Sequence, residues 1–474
     1  MNNLGFTISY SDLSNWVFIP KYYNPQVKET LNGLSSTHDL VEIKELVEAD
    51  FITLESGNEI GKMAYGTGKI PFIRTSDISN WEIKSDPKQG VSEKIYDEYA
   101  SRQDVQEGDI FFVKDGTYLI GQSAIVTKYD LPCLFQSHVL KIRINKNCPW
   151  DSYLFFALLN TPIVKQQIRS KQFTADIIDT IGSRFLELIL PIPKDKIELL
   201  NIINKTKAII NNRNLFRERI KKLPLLAQGL IGDLNEDYNF PQVRIEDSIH
   251  ILGYTIKFSD VANNTFIPKY YNPLLQQELI ALKDTHDLVS LQQFVDEGIL
   301  TWDTGIEVGK LAYGTGDVPF IRTSDISNLE LKNDPKQNVS EEIYVKNKQD
   351  VMEGDIFVVR DGTYLVGISC IITKGDTKIL YCGGIYRLRV VKKEAIDPYL
   401  LLAILNTPVV KKQMKSKQFT RDIIDTLGKR IFEILLPIPK DKKLKDFIST
   451  NMKEAIENRV TSRQAAIDIL TTIN

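Results

Sequence analysis

The sequence contains a duplication that spans nearly its whole length. FIPKYYNP at residues 18–25 returns at 266–273, and PFIRTSDISN at 71–80 returns at 319–328 in the same register. The later segments DGTYL, SKQFT and LPIPKDK also occur twice and in the same order, at a slightly shorter offset. This repeat unit is far longer than the roughly 20–50 residues of solenoid repeats. The duplication therefore predicts a tandem pair of homologous domains.

Each repeat has a mixed part followed by a helical part. Short β-rich segments such as KIPFIRTSDI and GDIFFVKDG lie between Gly, Asp and Pro residues, and helical segments such as THDLVEIKELVEA interrupt them. Hydrophobic residues make up 43% of the chain, which suffices for ordinary buried cores. The mixed parts are therefore predicted to be globular α+β domains.

The helical parts carry apolar residues at helical spacing. In the first copy these are Ile202, Ile209, Phe216, Leu223 and Leu230. In the second copy they are Ile448, Met452, Ala455, Ile456, Val460, Ile467 and Leu470. We expect the two helices to pair as an antiparallel coiled coil with a pseudo-twofold axis, and we expect Pro224 to end or kink the first near Leu223. The predicted domains are 1–195 and 236–441, and the predicted spacer helices lie in 196–235 and 442–474.

No catalytic, cofactor or metal motif is found in the sequence. GNEIGKM at 57–63 and GIEVGKL at 305–311 have three residues rather than four between their glycines, and Met63 stands where a phosphate loop needs Ser or Thr. YNP at 23–25 lacks the second proline and the aromatic residue of the adenine methyltransferase motif NPPY. His38 and His286 are isolated and are expected to have packing or helix-start roles. We predict a chain without an active site of its own.

The composition indicates a cytoplasmic protein. The first residues, MNNLGFTISYSDL, lack the pattern of a secretion signal, and no run of eighteen apolar residues is present. The cysteines show no metal-binding spacing and are expected to be reduced packing residues: Cys133, Cys148, Cys370 and Cys382. The net charge of −2 argues against a surface that is basic throughout, although it allows local basic patches.

Several of the repeated segments together resemble one known family. They are IPFIRTSDIS and VPFIRTSDIS, GDIFFVKDGTYLIG and GDIFVVRDGTYLVG, LELILPIPKDK and EILLPIPKDK before a long helix, and LPLLAQGLIGDL. In this order, and doubled, each unit resembles a target-recognition domain of the specificity (S) subunit of type I restriction–modification enzymes. The resemblance covers almost the full chain. One departure is KDK at 194–196, where the family commonly has a turn that contains Gln.

The resemblance implies a noncatalytic subunit that reads double-stranded DNA and holds no cofactor. Such subunits join two methyltransferase (M) subunits, which use S-adenosylmethionine to methylate adenine. Motor–nuclease (R) subunits complete the restriction enzyme, and no membrane partner is implied.

The spacer length predicts the form of the DNA target. A helix from about residue 196 to 223 would be roughly 42 Å long at 1.5 Å per residue. This length corresponds to roughly 12 base pairs, or about one turn of B-DNA. The predicted target is therefore two short blocks, one for each domain, separated by a gap that the protein does not read.

Comparison of the two repeats supplies candidate DNA-contacting residues. RTSD at 74–77 is identical to 322–325, so its polar groups either clamp a phosphate or form a structural turn with Arg–Asp pairing. Other matched positions differ, and these are candidates for specificity because Gln suits adenine and Arg suits guanine. Among them QSH at 136–138 stands opposite CGG at 382–384, and Lys114, Gln122 and Trp81 stand opposite Arg360, Ile368 and Leu329. The full candidate set is Arg74, Thr75, Ser76, Lys114, Gln122, Gln136, His138, Arg322, Thr323, Ser324 and Arg360.

Two basic runs and two tyrosine pairs have less specific interpretations. The runs at 205–222 and 411–421 are either solvated helix faces or contacts to DNA or to an acidic partner. The pairs Tyr22-Tyr23 and Tyr270-Tyr271 either pack against the domain core or face a partner.

Two other classes of function remain open from the sequence. The chain could be a self-contained methyltransferase or nuclease with its own reader domains, although the missing motifs argue against it. It could also be a protein–protein scaffold derived from such domains.

Overall fold

The computed structural model describes residues 6–10, 13, 17–116, 118–175, 178–236, 254–261, 265–362, 364–421 and 424–472. The chain divides into two units, of which the first consists of Met1–Arg213 with Ser462–Asn474 and the second of Asn214–Thr461. Each unit contains one mixed domain and part of each of two long helices. The predicted α+β class is confirmed.

The α-helices occupy matching places in the two repeats. In the first repeat they are α1 Pro25–Leu34, α2 Ile43–Glu48, α3 Glu93–Gln103, α4 Ser152–Leu159, α5 Pro162–Lys171 and α6 Lys196–Gln228. In the second repeat they are α7 Pro273–Ala281, α8 Leu291–Asp296, α9 Glu341–Lys346, α10 Pro398–Leu405, α11 Pro408–Lys417 and α12 Lys442–Thr472.

The strands also correspond between the repeats. The first repeat contains β1 His38–Glu42, β2 Ile52–Ser56, β3 Ile70–Ile73, β4 Ile78–Ser79, β5 Glu82–Ile83, β6 Gln89–Val91, β7 Ile110–Val113, β8 Ser123–Ile125, β9 Leu134–Phe135, β10 Val139–Ile144, β11 Phe173–Ala175, β12 Ile178–Thr180 and β13 Ile189–Pro193. The second repeat contains β14 His286–Ser290, β15 Leu300–Thr304, β16 Val318–Ile321, β17 Ile326–Ser327, β18 Glu330–Leu331, β19 Gln337–Val339, β20 Ile356–Val359, β21 Ser369–Ile371, β22 Leu380–Tyr381, β23 Ile385–Val390, β24 Phe419–Arg421, β25 Ile424–Thr426 and β26 Leu435–Pro439.

Each strand pair of the first repeat has a counterpart in the second repeat. The largest sheet of the first unit has the strand order β2-β10-β7-β8 and is antiparallel, and its counterpart is β15-β23-β20-β21. A three-stranded sheet, β6-β3-β9, combines one antiparallel and one parallel pair and matches β19-β16-β22. The two-stranded pairs β1–β13, β4–β5 and β11–β12 recur as β14–β26, β17–β18 and β24–β25. The duplication in sequence is therefore a duplication of topology.

A short apolar helix lies in the core of each domain. The first, α4, begins at Asp151, whose carboxylate accepts a hydrogen bond from the backbone N–H of Tyr153 at 2.7 Å. Its residues Leu154–Leu159 are all buried. Such a helix, apolar on all sides, is stable only when the surrounding sheet and helices exclude water from it. Its counterpart α10 begins in the same way at Asp397.

The two long helices bury positions at alternating spacings of four and three residues. In α6 these are Ile202, Thr206, Ile209, Arg213, Phe216, Ile220, Leu223 and Ala227. In α12 they are Ile448, Met452, Ala455, Arg459, Ser462, Ala466 and Ile469. This is the heptad pattern of a coiled coil, with a polar residue at a few core positions.

The helices pair in antiparallel sense, as predicted. In the first unit, Ile202 and Ile209 share one apolar cluster with Ala466 and Ile469. In the second unit, the Arg219 guanidinium lies 2.8 Å from the Glu454 carboxylate. An early part of α6 thus meets a late part of α12, and a later part meets an earlier one.

Pro224 does not end the first helix, so of the two expected effects, an end or a kink, the end near Leu223 is wrong. The helix continues through Pro224 to Gln228 because Leu223, Leu225 and Leu226 are buried on either side of it. It ends instead at Gly229, which has a positive φ of 75°. The Gly229 N–H donates to the Leu226 carbonyl, and the next N–H donates to the Leu225 carbonyl, as in a Schellman motif.

Two residues of the predicted apolar stripes lie elsewhere. Leu230 falls beyond the end of α6, although it is partly buried. Ile467 is 42% exposed, because the buried positions on either side of it are Ala466 and Ile469. The buried stripe of α12 follows the heptad spacing and includes Arg459 and Ser462. Apolar residue types alone do not reveal these two positions, because both residues are polar.

Within the described residues, every helix is too short or too polar to serve as a membrane span.

Candidate nucleic-acid interface

The shared RTSD segment forms a tight turn at the end of β3. The Arg74 N–H donates to the Asp77 carboxylate at 3.0 Å, and Arg322 and Asp325 repeat this bond at 2.9 Å. Burial raises the pKa of Asp77, and hydrogen bonds from the N–H groups of Arg74 and Lys88 oppose the shift. The aspartate is therefore structural, whereas the half-exposed Arg74 side chain remains a candidate phosphate contact.

The other shared candidates belong to the same turn. Thr75 and Thr323 are half-buried, and Ser76 and Ser324 are exposed. The turn thus presents a hydroxyl beside an arginine at the same place in both units. This combination is typical of contacts to a DNA backbone, which fix position without reading sequence.

A β-hairpin follows each RTSD turn and is fixed by its two central residues. Asn80 and Trp81 have φ values of 50° and 67°, and Asn328 and Leu329 repeat them at 48° and 63°. The Trp81 side chain is buried and packs edge-on against Phe156 at 5.1 Å between ring centroids. The difference between Trp81 and Leu329 is therefore a difference in packing.

Gln136 is the centre of a polar network in the first unit. Its side chain is only 6% exposed. Its carbonyl oxygen accepts from Arg74 Nε at 3.3 Å, and its amide donates to the Glu59 carboxylate at 3.3 Å. The Ser137 hydroxyl donates to the same carboxylate. Gln136 thus holds Arg74 in place, and Glu59 is a partner that sequence comparison missed.

The second unit has smaller side chains at the matched positions, Cys382, Gly383 and Gly384. Cys382 is buried, and the Gly383 N–H donates to the Glu307 carboxylate at 3.2 Å. Gly384 carries no side chain where the first unit has His138. Because the backbone is the same and the side chains differ, the two units present different groups at this loop.

His138 lies beside the loop that carries the repeated DGTY motif. Its Nδ1 is 3.0 Å from the Asp115 carboxylate, which also accepts a hydrogen bond from Thr180. The His138 carbonyl accepts from the Lys114 N–H at 3.1 Å. The Lys114 ammonium donates to the Ser56 hydroxyl at 2.8 Å. The structure therefore brings Lys114 and His138 together on one edge of the domain.

Arg360 takes the place of Lys114 in the second unit. Its N–H donates to the Gly384 carbonyl at 2.8 Å, the counterpart of the bond made by Lys114. Its Nε and one terminal nitrogen both donate to Asp361 Oδ2, at 2.9 and 2.6 Å, and these hydrogen bonds raise the pKa of Arg360. It also lies over the Tyr386 ring at 5.7 Å. At this matched position the first unit therefore carries a lysine ammonium bonded to Ser56, and the second carries an arginine guanidinium bonded to Asp361.

Gln122 lies at the far end of the same loop. Its N–H donates to the Leu119 carbonyl and its carbonyl accepts from Val113, and Ile368 makes the same backbone bonds in the second unit. The Gln122 side chain is half-buried. The difference between Gln122 and Ile368 is therefore a side-chain difference on a common backbone.

Part of each basic run serves the fold itself. Arg213 and Arg217, in the run at 205–222, are buried, so neither the solvated-face nor the contact interpretation applies to them. In the run at 411–421, Lys412 pairs with Glu278 at 2.6 Å and Lys417 pairs with Glu433 at 2.9 Å.

The repeated PKYYNP segment packs against its own domain. The Tyr22 ring lies 6.0 Å from Phe173, and Lys171 lies 4.3 Å above the same Tyr22 ring. The Tyr22 hydroxyl and Lys171 both bond to the Glu187 carboxylate, and Arg184 lies 4.3 Å above Phe173. The second unit repeats these contacts with Tyr270, Phe419, Lys417, Glu433 and Arg430. The first tyrosine of each pair is therefore a packing residue.

His38 and His286, which lie outside this surface, are buried at the first positions of β1 and β14. His38 and His286 each contact a neighbouring threonine hydroxyl through Nδ1 at 2.8 Å. His286 Nε2 lies 2.9 Å from the Ala227 carbonyl in the last turn of α6. The expected packing role is confirmed for His286.

Comparison with known proteins found similar solved structures. The S subunit of the type I restriction–modification system from M. genitalium is 14% identical, with 92% of this chain and 93% of that chain covered and a TM-score of 0.28. The HsdS subunit from Thermoanaerobacter tengcongensis is 16% identical, with 92% and 96% covered and a TM-score of 0.28. A structure of a type I R-M system is 14% identical, with 92% and 95% covered and a TM-score of 0.27. No protein-family profile and no curated protein matches the chain.

Proposed function

We propose that this chain is the noncatalytic DNA-specificity subunit of a type I restriction–modification system. One observation carries the proposal: the two units share every strand pairing, yet present different side chains at matched loop positions. Two different readers on one scaffold suit a DNA target with two unlike half-sites. The order and doubling of the repeated sequence motifs, which resemble this family, support the same conclusion.

The side chains at the matched positions suit base reading. Lys114 and Arg360 carry donors for the acceptor edge of guanine, and Gln122 offers both a donor and an acceptor for adenine. His138 adds a ring in the first unit where Gly384 leaves space in the second. Each unit would therefore read one short block, and the bases between the blocks would stay unread.

The partners follow from the charge and from the lack of a catalytic motif. The net charge of −2 leaves much of the phosphate neutralisation to other subunits. We propose that two M subunits dock on the chain and supply S-adenosylmethionine chemistry, and that R subunits join them in the cytoplasm. The chain contributes recognition, for which it needs no cofactor.

Mapping of methylated adenines tests the proposal. The chain is expressed with its methyltransferase partner in a strain without other DNA methylation, and the genome is sequenced for methyladenine with and without this chain. The expected result is one bipartite motif that is methylated only when the chain is present. Methylation that is independent of the chain would contradict the proposal.

Two further assays exclude the other classes of function. Purified chain incubated with S-adenosylmethionine and duplex DNA is expected to transfer no methyl group, whereas a self-contained methyltransferase would. The assembled complex is expected to bind duplex DNA with an affinity that falls as salt rises and that depends on sequence. A protein–protein scaffold would show no preference for any sequence.

A further inference from the structure

Among the described residues, the most exposed large apolar side chains occupy matched positions in the two domains. Met63 is 92% exposed and Leu311 is 95% exposed. Each lies in a glycine-rich segment, residues 57–68 and 305–316, which we call the tip loops. A long apolar side chain held in water by both copies of a domain has no packing role within its own domain.

Close backbone approach fixes both ends of each tip loop. A Cβ at Gly57 would lie 2.3 Å from the Phe135 carbonyl oxygen, and one at Gly305 would lie 2.2 Å from the Cys382 carbonyl oxygen. At the other end, a Cβ at Gly68 would lie 2.4 Å from Ser92. Glycine is required at these positions because any side chain would clash with the neighbouring backbone.

The apex of each loop is a rigid turn. The Ala64 N–H donates to the Gly61 carbonyl at 3.2 Å, and the Thr67 hydroxyl donates to the Ala64 carbonyl at 2.8 Å. The Tyr65 ring packs against Phe72 at 5.6 Å, which anchors the turn to β3. The second unit has the same arrangement with Gly309, Ala312, Thr315, Tyr313 and Phe320. Met63 and Leu311 are therefore displayed on a preorganised support.

In the first unit, the tip loop adjoins the candidate DNA-contacting residues. The Arg74 guanidinium lies 5.8 Å above the Tyr65 ring of the loop. The Asn58 N–H donates to the Phe135 carbonyl at 3.1 Å, directly before Gln136. A phosphate held by Arg74 would therefore place the duplex beside Met63.

Charge at the apex favours a polyanion over a protein surface. Lys62 and Lys310 are exposed and directly precede Met63 and Leu311. The acidic residue of the first loop, Glu59, is turned toward its own domain by its bonds to Gln136 and Ser137. A single apolar tip flanked by a cation also differs from a protein-binding face, which has a contiguous apolar centre.

We propose that Met63 and Leu311 are wedges that insert between stacked base pairs, one in each half-site. The proposal rests on the DNA-specificity function proposed above. Methionine and leucine are among the residues that partly unstack and kink DNA in this way. Such insertion would make recognition depend on how easily a base step unstacks, in addition to the groups on the base edges.

Fluorescence of 2-aminopurine tests the proposal directly. The probe is a duplex carrying the motif found by methylation mapping, with 2-aminopurine placed at one position at a time and away from the methylated adenine. The complex of this chain with its M subunits is added without S-adenosylmethionine. We expect increased fluorescence at one step in each half-site, because the inserted side chain unstacks the probe.

Substitutions at the two tips make the test specific. Met63→Ser is expected to abolish the increase in one half-site only, and Leu311→Ser in the other only. Each is expected to weaken binding by at most about 100-fold, because burial of one such side chain is worth at most roughly that factor and the cost of unstacking reduces it. Val345→Ser is the matched control, since Val345 is 66% exposed on α9, and it should change neither signal.

Two outcomes would overturn the wedge. One is unchanged fluorescence and affinity in both tip variants. The other is normal DNA binding by an assembled complex but weaker assembly with M subunits, which would make the tips protein contacts. In both cases motif-specific methylation by the unmodified chain would persist, so the specificity function would stand on its own.

Discussion

The Arg213 guanidinium on α6 lies 3.1 Å from the Glu82 carboxylate on β5, and both side chains are almost fully buried. Arg459 on α12 and Glu330 on β18 repeat the pair in the second unit at 2.9 Å. Each arginine occupies a core position of the heptad pattern. A buried ion pair at such a position fixes the register of a helix against its neighbour, at some cost in stability. The pair therefore aligns each long helix with the hairpin that follows the RTSD turn.

Replacement of Arg213 alone should destabilise the first unit strongly. Arg213→Met leaves the Glu82 charge buried without its partner, and such a change costs about 3–5 kcal/mol. The free energy of unfolding, measured with denaturant, should fall by this amount. The double variant Arg213→Met with Glu82→Leu should recover most of the loss.

The exposed pair Arg219–Glu454 provides the control for this experiment. Arg219→Met on the same helix should cost no more than about 1 kcal/mol, because an exposed ion pair contributes little. Equal losses for Arg213→Met and Arg219→Met would show that burial of the first pair is unimportant.

Changes in the loop at 136–138 should alter specificity in one half-site only. Gln136→Ala with His138→Ala removes the support of Arg74 and the ring next to Lys114. Methylation mapping should then show a relaxed or changed block in one half of the motif, and Arg360→Ala should change the other half. An unchanged motif in the double variant would remove this loop from the recognition surface.

Loss of the shared arginines should weaken DNA binding without changing the motif. Arg74→Gln and Arg322→Gln should each reduce the slope of log K against log salt by about 1, as expected for one phosphate contact. Lys44→Gln on α2 serves as the control for loss of an exposed cation. A change in the methylated sequence, rather than in affinity, would indicate that these arginines read bases.

Acidic pH should remove the stabilisation of the folded state that two matched aspartates, Asp104 and Asp350, contribute. Hydrogen bonds from Arg143 lower the pKa of Asp104 below its ordinary value of 3.8, and Arg389 does the same for Asp350. A lowered pKa means that the stabilisation is present above about pH 3.8 and is lost as the pH falls through the folded-state pKa. Asp104→Asn should therefore lower the melting temperature at pH 7, and the difference from the unmodified chain should shrink in more acidic buffer.

The control for acid unfolding is Asp86→Asn, at an exposed aspartate. It should leave the melting temperature nearly unchanged across the same pH series. A difference for Asp104→Asn that persists at the lowest pH would mean that the hydrogen bond, and not the charge, stabilises the protein.

The sequence predicted the architecture well because both the duplication and the heptad spacing can be recognised directly from the order of residue types. Repeated sequence segments and the periodicity of apolar residues predict the α+β class, the tandem domains and the antiparallel helices. An end of α6 at Pro224, one of the two effects expected of this proline, is wrong, because the buried leucines on either side of Pro224 keep the chain helical. Tertiary packing decided that boundary.

The candidate surface was less predictable, because a residue difference between the two repeats does not show whether the side chain is exposed or buried. Trp81 and Leu329 differ, yet Trp81 is in the core. The basic run around Arg213 indicates a charged surface, whereas Arg213 pairs inside the first unit with Glu82, which lies far away in the sequence. Such a long-range pairing leaves no local signal in the sequence.

Each unit combines residues from both long helices, and this has a consequence for the exchange of whole domains between related chains. A fragment cut at the repeat boundary would lose Ala466 and Ile469, which complete the apolar cluster around Ile202 and Ile209. A working graft of the first module must therefore transplant two separate stretches of coding sequence, one for Met1–Arg213 and one for Ser462–Asn474.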